Sequence, residues 1–368
     1  MSIKRVGVIG SGQLGRMMAL AGTPLNVEFV FYDEATLSPS SRLGDTIKPS
    51  EPDGLNRFIQ SVDVVTYESE NTDVSLVEHI SRLKPIYPGT ESLRKSQHRL
   101  TEKQAFRSLG IETAPFCAVR SYQEALDAAS QLGYPFILKT TTEGYDGKGQ
   151  ALVKTSSDLS EAWEQLGDKE LIAEGFVRFT RELSIIAVRD AKGNTKTYPL
   201  AENEHRDGIL RVSRVPAQNV SLEKQKQAER YATEMLDHLG HVGVLTIELF
   251  DTENGLVANE MAPRVHNSGH WSIEGAYCSQ FENHVRAICD LPLGSTEACH
   301  PFSAMINVIG RHGNGNQVLE TPNQFLHYYS KSERAHRKIG HINTIASSIA
   351  ELEESISSLQ SFIEESGE

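Results

Sequence analysis

The sequence predicts a mixed α/β and α+β protein of two or three domains, and three stretches carry that reading. Near the N-terminus an apolar strand, Ile3 to Ile9, runs into Gly10-Ser-Gly12-Gln-Leu-Gly15 and a helical segment, the opening of a Rossmann-like parallel unit. In the middle, Lys139 to Gln150 sets Gly144, Gly147 and Gly149 among polar residues between two short apolar strands. Further on, two apolar runs flank a turn at Glu253-Asn-Gly255 and form an antiparallel hairpin. With 368 residues, 39% of them hydrophobic, each domain has enough apolar side chain to bury a core. The net charge of -13, from 36 basic and 49 acidic residues, argues against wholesale nucleic-acid binding. Cys117, Cys278, Cys289 and Cys299 show no Cys-x-x-Cys spacing, and no signal peptide precedes the first strand, which suits a reducing cytoplasm. No apolar run approaches bilayer-spanning length, so no membrane partner is expected.

The first unit continues with a strand from Val27 to Tyr32 that ends at Asp33, about twenty residues beyond the glycines, which completes a dinucleotide fingerprint. A hydride-transfer enzyme is one reading of it. The other is that the same turn places any phosphate or acidic group at a helix N-terminus. A strand from Val62 to Tyr67 runs into Glu68-Ser-Glu70, acids at a strand end where ligands gather, or simply solvated charges. The unit closes near Pro88.

The next unit alternates strands with capped helices. Thr101 to Gln104 reads as a capping box with Gly110 as the stop, and Ser121 to Gly133 and Asp158 to Gly167 repeat the pattern, with Glu124 and Glu161 at the third helical position. Between the last two lies the glycine-rich stretch. Its glycines let backbone N–H groups approach a polyphosphate, and Lys139 and Lys148 offer point charges. The spacing is not that of a Walker loop, so a lid over the phosphates of ATP in another architecture is expected, against the plainer reading of an exposed hairpin. Leu171 to Val177 is a strand breaking into a linker, where backbone groups can hold an adenine, and Arg181 to Val188 is a strand with Glu182 at its start. Ser221 to Leu239 is a long helix stopped by Gly240.

The hairpin that follows is the most informative segment after the lid. A three-residue loop at Glu253-Asn-Gly255 sets Glu248 directly opposite Glu260. Like charges in that position ask for a cation, and few carboxylate ligands suit Mg²⁺ shared with ATP phosphates. A slip of one residue would put the two acids on opposite faces. Arg264-Val-His266-Asn-Ser-Gly-His270-Trp271 then reads as an anion and substrate site, with a His/His metal site as the competing idea. After Pro301 a small sheet is expected from Phe302 to Ile309 and Gln324 to Tyr329. It leads to the cations Lys331, Arg334, Arg337 and Lys338, which fit a phosphate or a solvated loop. The acidic end from Glu351 reads as a surface helix burying Ile356, Leu359 and Ile363.

Taken together, Lys139 with Gly144 to Gln150, Asn259-Glu260, Ala262 to His270, and Arg337-Lys-Ile-Gly-His341 resemble the N5-carboxyaminoimidazole ribonucleotide synthase family, ATP-grasp enzymes of purine biosynthesis. The resemblance runs from Gly10 to His341, with departures at Glu143, Ser69 and Ser330, where glycine, a bulkier apolar residue and glycine are usual. It implies a Rossmann-like pre-ATP-grasp domain over 1–97, an ATP-grasp domain over 98–300 with a lid lobe over about 115–178, and a small β-rich C-terminal domain over 301–368. The implied reaction joins 5-aminoimidazole ribonucleotide and bicarbonate as ATP becomes ADP and phosphate, in a cytoplasmic homodimer. A sister ligase, such as a formate-dependent glycinamide ribonucleotide transformylase, is the rival within the fold. By the resemblance, Arg99, Lys139 and Gly144, Tyr145, Asp146, Gly147, Lys148, Gly149 and Gln150 hold ATP phosphates. Glu174 and Val177 hold the adenine, Glu182 the ribose and His205 the nucleotide, and Gly175, Phe176 and Asn259 belong to the same ATP-binding set. Glu248 and Glu260 carry Mg²⁺, with Mn²⁺ as an alternative. Gln13, Leu14, Glu68, His266, Asn267, Ser268, Lys331, Arg337 and Lys338 face the ribonucleotide, and Arg264, Lys331, Tyr145 and Asp146 are the catalytic candidates, Arg264 toward bicarbonate.

Overall fold

The computed structural model describes residues 3–142 and 149–363. The expectations placed on Glu143, Gly144, Tyr145, Asp146, Gly147 and Lys148, and on the last five residues, lie outside the described residues.

Among the described residues the strands form three sheets. The first is parallel and consists of β1 (Lys4–Ile9), β2 (Val27–Tyr32), β3 (Asp45–Ile47) and β4 (Val64–Tyr67), in the order β3-β2-β1-β4. Its central strands are near-continuous apolar runs because helices cover both faces, and Val6, Val8, Phe31 and Val65 are buried. The glycine turn leads from β1 directly into the helix Gln13–Gly22, as the motif predicts.

The second sheet is antiparallel and is made by β5 (Phe116–Val119), β6 (Phe136–Thr140), β7 (Gln150–Val153) and β8 (Leu171–Gly175), ordered β5-β8-β6-β7. The helices Tyr122–Leu132 and Ser156–Leu166 pack on it around Val119, Ala125, Phe136 and Leu159. Ser121 caps the first through the amide of Glu124, as expected. The second begins earlier than expected, because Thr155 and Asp158 form the capping box and Asp158 lies inside the helix.

The third sheet has nine strands: β9 (Arg181–Arg189), β10 (Thr195–Thr197), β11 (Ala201–Arg206), β12 (Ile209–Val215), β13 (Gly243–Thr252), β14 (Gly255–Ala262), β15 (Phe302–Ile309), β16 (Gln324–Tyr328) and β17 (Lys338–Ala346). Their order is β14-β13-β9-β11-β12-β15-β17-β16, with β10 beside β9. The separate sheet expected after Pro301 is therefore a continuation of this one, joined through β12 and β15. β17 was hidden in the sequence because its start is polar and His341, Asn343 and Thr344 are buried alongside Ile342, which erases the alternation of an exposed strand. The C-terminal helices bury Ile356, Leu359 and Ile363 against β15 and β17.

The helix expected to open at Thr101 runs instead over Arg99–Ser108. Thr101 lies in its first turn and its hydroxyl donates back to His98 O (2.8 Å), so the capping box is not formed. That earlier start places Arg99, Glu102 and Lys103 on one helix face.

Candidate active site

The hairpin β13–β14 supplies the pair of acids. Glu248 stands opposite Glu260, as expected, but by a different route. The turn is one residue tighter than expected, pairing Thr252 with Gly255, and Gly255 holds a φ of +131 that suits glycine alone. A bulge then restores the register: Leu249 pairs with Ala258 and Glu248 with Glu260, leaving Asn259 as the additional residue on β14. Burial and the facing Glu260 carboxylate push the Glu248 carboxyl up to about 7. Arg99 Nη1 donates to Glu260 Oε2 (2.9 Å), and His266 Nε2 lies 3.3 Å from Glu248 Oε1.

A cleft of about 690 Å³ joins these acids to all three sheets, its walls including Gln13, Glu68, Lys139, Gln150, Arg264 and Lys338. On the lid sheet, Lys139 and Gln150 are cross-strand partners, and Gly149 O accepts from Thr140 N (2.8 Å). Lys139 Nζ donates to Glu174 Oε2 (2.9 Å), and Lys103 Nζ lies 3.5 Å from the same oxygen. Burial would raise the Glu174 carboxyl, but Lys103 and Lys139 overcome it and hold it at about 2. Glu174 thus spends its charge on two lysines. Gly175 closes β8 with its N–H on Pro115 O (2.8 Å), Phe176 is exposed and Val177 half-buried, and none of the four lines the cleft. The apolar wall there is Ile137, Phe179 and Phe250, the two phenylalanines stacked at 4.6 Å. The sequence reading missed these three, although Phe250 follows Glu248 by two residues on the same strand face.

Glu182 is the cross-strand partner of Phe250, and His205 Nδ1 lies 3.0 Å from Glu182 Oε2. Burial favours the neutral ring, but Glu182 and Glu248 outweigh it and raise the His205 pKa. Asn259 lines the same cleft.

At the N-terminal side, Glu68 occupies the glycine turn. Its Oε1 accepts from Gly12 N (2.5 Å) and its Oε2 from Gly15 N (2.8 Å), while Ser11 Oγ donates to Asp33 Oδ2 (2.6 Å). A Cβ on Gly10, where φ is +100, or on Gly12 would meet the Glu68 carboxylate at 2.7 Å. The turn's anion site is therefore filled by the chain's own carboxylate, and Asp33, the acid of the fingerprint, is held by Ser11. Gln13 and Leu14 line the cleft beside it.

Arg264 is held in a fork by Glu70, with Nη2 donating to Oε1 (2.8 Å) and Nε to Oε2, and its Nη1 donates to Val265 O (3.0 Å). Burial would raise Glu70, but the guanidinium holds it at about 2. His266 is pushed down to about 3 by burial and by Arg264, so its ring is neutral. Ser268, expected at the substrate, is fully buried and bonds His266 Nδ1 (2.9 Å) and Ser184 Oγ (2.8 Å). Its hydroxyl orients His266 and does not reach the cleft. Asn267 lines the cleft and exchanges amide bonds with Asn307 at 3.0 and 2.7 Å.

Among the basic residues, Lys338 lines the cleft and Lys331 Nζ donates to Gln13 Oε1 (2.5 Å), bridging the C-terminal loop to the glycine turn. Burial, then repulsion by Arg337, lowers the Lys331 ammonium to about 8. Arg337 Nη1 donates to Ser332 Oγ (2.9 Å) and O (3.2 Å) in the same loop.

Comparison with known proteins agrees with this geometry. A ribonucleotide synthetase preATP-grasp domain matches residues 3–97, an ATP-grasp domain residues 104–281, and a phosphoribosylaminoimidazole carboxylase C-terminal domain residues 303–355. The chain is 45% identical over 362 residues to the N5-carboxyaminoimidazole ribonucleotide synthase of Pseudomonas aeruginosa, covering 98% of this chain and 99% of that one. It is 38% identical over 346 residues to the Bacillus subtilis enzyme of the same name, covering 92% and 90%. The crystal structure of the Thermus thermophilus N5-carboxyaminoimidazole ribonucleotide synthetase superposes with a TM-score of 0.93 at 43% identity, covering 99% and 100%. The Aspergillus clavatus synthase, solved with ADP and 5-aminoimidazole ribonucleotide, gives 0.91 at 32%, covering 98% of each chain.

Proposed function

The chain belongs to the N5-carboxyaminoimidazole ribonucleotide synthase family, and from that premise we propose how its residues carry out the ATP-dependent carboxylation of 5-aminoimidazole ribonucleotide. It is an ATP-grasp ligase of purine biosynthesis. The observation that carries the assignment of roles is a cleft that brings Gln13 and Glu68, the acids Glu248 and Glu260, and Lys139, Arg264 and Lys338 to one space. ATP lies with its base against Ile137 and Phe250 and its phosphates toward Lys139, Gln150 and the acid pair, with Glu182 at the ribose.

The donor set at the acid pair fits Mg²⁺ or Mn²⁺. Two carboxylates share one face and repel, and among the described residues no group of three or more His, Cys, Asp or Glu converges as a complete metal site. Glu248 and Glu260 therefore leave positions for phosphate oxygens and water, the usual manner of holding Mg²⁺. When bound, the metal neutralises charge on the transferring phosphoryl group.

Bicarbonate sits by Arg264, in a side chamber of about 70 Å³ also lined by Gln97, Arg99, Thr141 and Glu260. A bicarbonate oxygen attacks the γ-phosphorus, ADP leaves, and carboxyphosphate forms between Arg264 and Lys139. The exocyclic amine of the ribonucleotide then bonds to the carboxyl carbon as the C–O bond to phosphate breaks, and the departing phosphate carries off the amine proton. His266, neutral and 3.3 Å from Glu248, faces this space as a hydrogen-bonding group. Lys331, Arg337 and Lys338 hold the 5′-phosphate. A homodimeric, cytoplasmic enzyme completes the proposal; no helix among the described residues is long and apolar enough to cross a membrane, and the four cysteines are free.

The test is ADP release against a matrix of acceptors: aminoimidazole ribonucleotide, glycinamide ribonucleotide and biotin, each with bicarbonate or formate. Turnover should rise only with the imidazole and bicarbonate together. Stimulation by glycinamide ribonucleotide with formate, and none by the imidazole, would overturn the substrate assignment.

A further inference from the structure

The bulge that sets Glu260 opposite Glu248 lies on an edge strand, where the sheet itself cannot hold it. β14 is the last strand of its sheet, and Asn259 is the residue left without a partner on β13. Three contacts satisfy the open edge at this point. Ala258 N donates to Glu112 O (2.7 Å), Lys103 Nζ donates to Asn259 O (2.7 Å), and Met261 N donates to Glu102 Oε1 (2.6 Å). Glu102 and Lys103 are neighbours on the helix Arg99–Ser108, and only 2% and 1% exposed. They grip the peptide groups on either side of Glu260, while Arg99, one turn earlier, meets the Glu260 carboxylate itself.

Burying two ionisable side chains to satisfy two backbone groups is costly where neutral groups or water would serve. The arrangement has a geometric use. Sliding β14 by one residue would erase the bulge, set Asn259 opposite Glu248 and turn Glu260 to the other face. Lys103 fixes the bulged carbonyl and Glu102 the amide beyond it, so neither peptide group can move without giving up its buried side-chain partner. Lys103 Nζ is also 3.5 Å from Glu174 Oε2, which ties the clamp to β8 of the lid sheet.

We propose that Glu102 and Lys103 are positioning residues that lock the Asn259 bulge and so keep Glu260 facing Glu248. The proposal rests on the reading of the two glutamates as the metal carboxylates. It is tested on Lys103→Met, Glu102→Ala and Glu102→Gln in the full chain, with Mn²⁺ titrated at fixed ATP by electron paramagnetic resonance and backbone amide exchange followed over 258–262. In the parent protein the Met261 amide should exchange as slowly as those of β13. Lys103→Met and Glu102→Ala should raise half-saturating Mn²⁺ by on the order of tenfold to a hundredfold, as loss of a supporting contact does. They should also speed Met261 exchange while leaving β9 protected. Glu102→Gln, whose carboxamide oxygen still accepts from Met261 N, should keep slow exchange and near-parent Mn²⁺ binding. A fast-exchanging Met261 amide in the parent overturns the clamp even where the variants do not fold. So does Mn²⁺ binding and exchange within twofold of the parent in both disrupting variants. Glu260→Gln, run beside them, separates the two ideas: unchanged Mn²⁺ binding there sinks the metal reading, and Met261 exchange still decides the clamp.

Discussion

Glu248 faces Glu260 because β14 carries one more residue than β13 between the turn and the pair, and that residue is Asn259. Two carboxylates held opposite each other by a bulge are an arrangement that folding alone does not favour, since like charges across a ladder are destabilising. Glu260→Gln removes one ligand and the repulsion together. ATP turnover should fall by on the order of a hundredfold or more, while urea unfolding stays cooperative and the midpoint does not fall. Near-parent turnover at limiting Mg²⁺ would refute the assignment.

The glycine turn should bind no dinucleotide, because Glu68 already accepts from Gly12 and Gly15 where a pyrophosphate would lie. NADH and NADPH should show no saturable change in fluorescence with the protein. Glu68→Ala leaves two amides without their acceptor and should lower stability by roughly 1–3 kcal/mol in urea unfolding. Tight NADH binding by the parent protein would contradict the packing of Glu68.

Ser330 holds a φ of +56, a left-handed conformation, at a position where the family resemblance expects glycine. For an L-residue that conformation costs roughly 1–2 kcal/mol, and glycine gives back about 0.5–1 kcal/mol through its freer unfolded chain. Ser330→Gly should therefore raise stability by up to about 1 kcal/mol and shift the thermal midpoint upward. A lower midpoint would mean that the serine hydroxyl outweighs the backbone strain.

The parts of the site legible in the sequence were those with local signatures: the glycine turn, the strand ends at Glu68 and Glu182, and the hairpin acids. The hairpin shows the limit of such reading. A three-residue loop was expected, and a two-residue turn followed by a bulge delivers the same facing pair, so a shift at the turn and a shift at Asn259 cancel at Glu260. Contacts distant in the chain left no local trace. Glu68 meets Gly12 across 56 residues, Glu70 meets Arg264 across 194, and Glu102 meets Met261 across 159. Glu102 and Lys103 looked like an ordinary helix start because nothing near them shows the edge strand they cover. The resemblance sets Ser268 at the substrate with His266 and Asn267; those two line the cleft, while the Ser268 side chain points into the Ser184 network.

The basic loop gives a prediction that separates binding from chemistry. Lys331 donates to Gln13, which lines the cleft, and burial together with Arg337 lowers its ammonium to about 8. The cation is the form that holds a phosphate, so it is complete below that pH and is lost as pH rises through it. In the free enzyme this governs kcat/KM for the ribonucleotide, which should decline above pH about 8, whereas kcat, read with the phosphate already bound, should hold to higher pH. Each charge-assisted contact to the phosphate contributes on the order of 1.5–3 kcal/mol. Lys331→Ala and Arg337→Ala should each weaken productive binding by roughly tenfold to a hundredfold, at about 1.4 kcal/mol per decade, with ATP affinity within twofold of the parent. Lys331→Arg keeps a cation at every accessible pH and should abolish the alkaline decline even if its geometry costs some affinity. A decline that persists unchanged in Lys331→Ala would assign it to another group and remove Lys331 from the phosphate site.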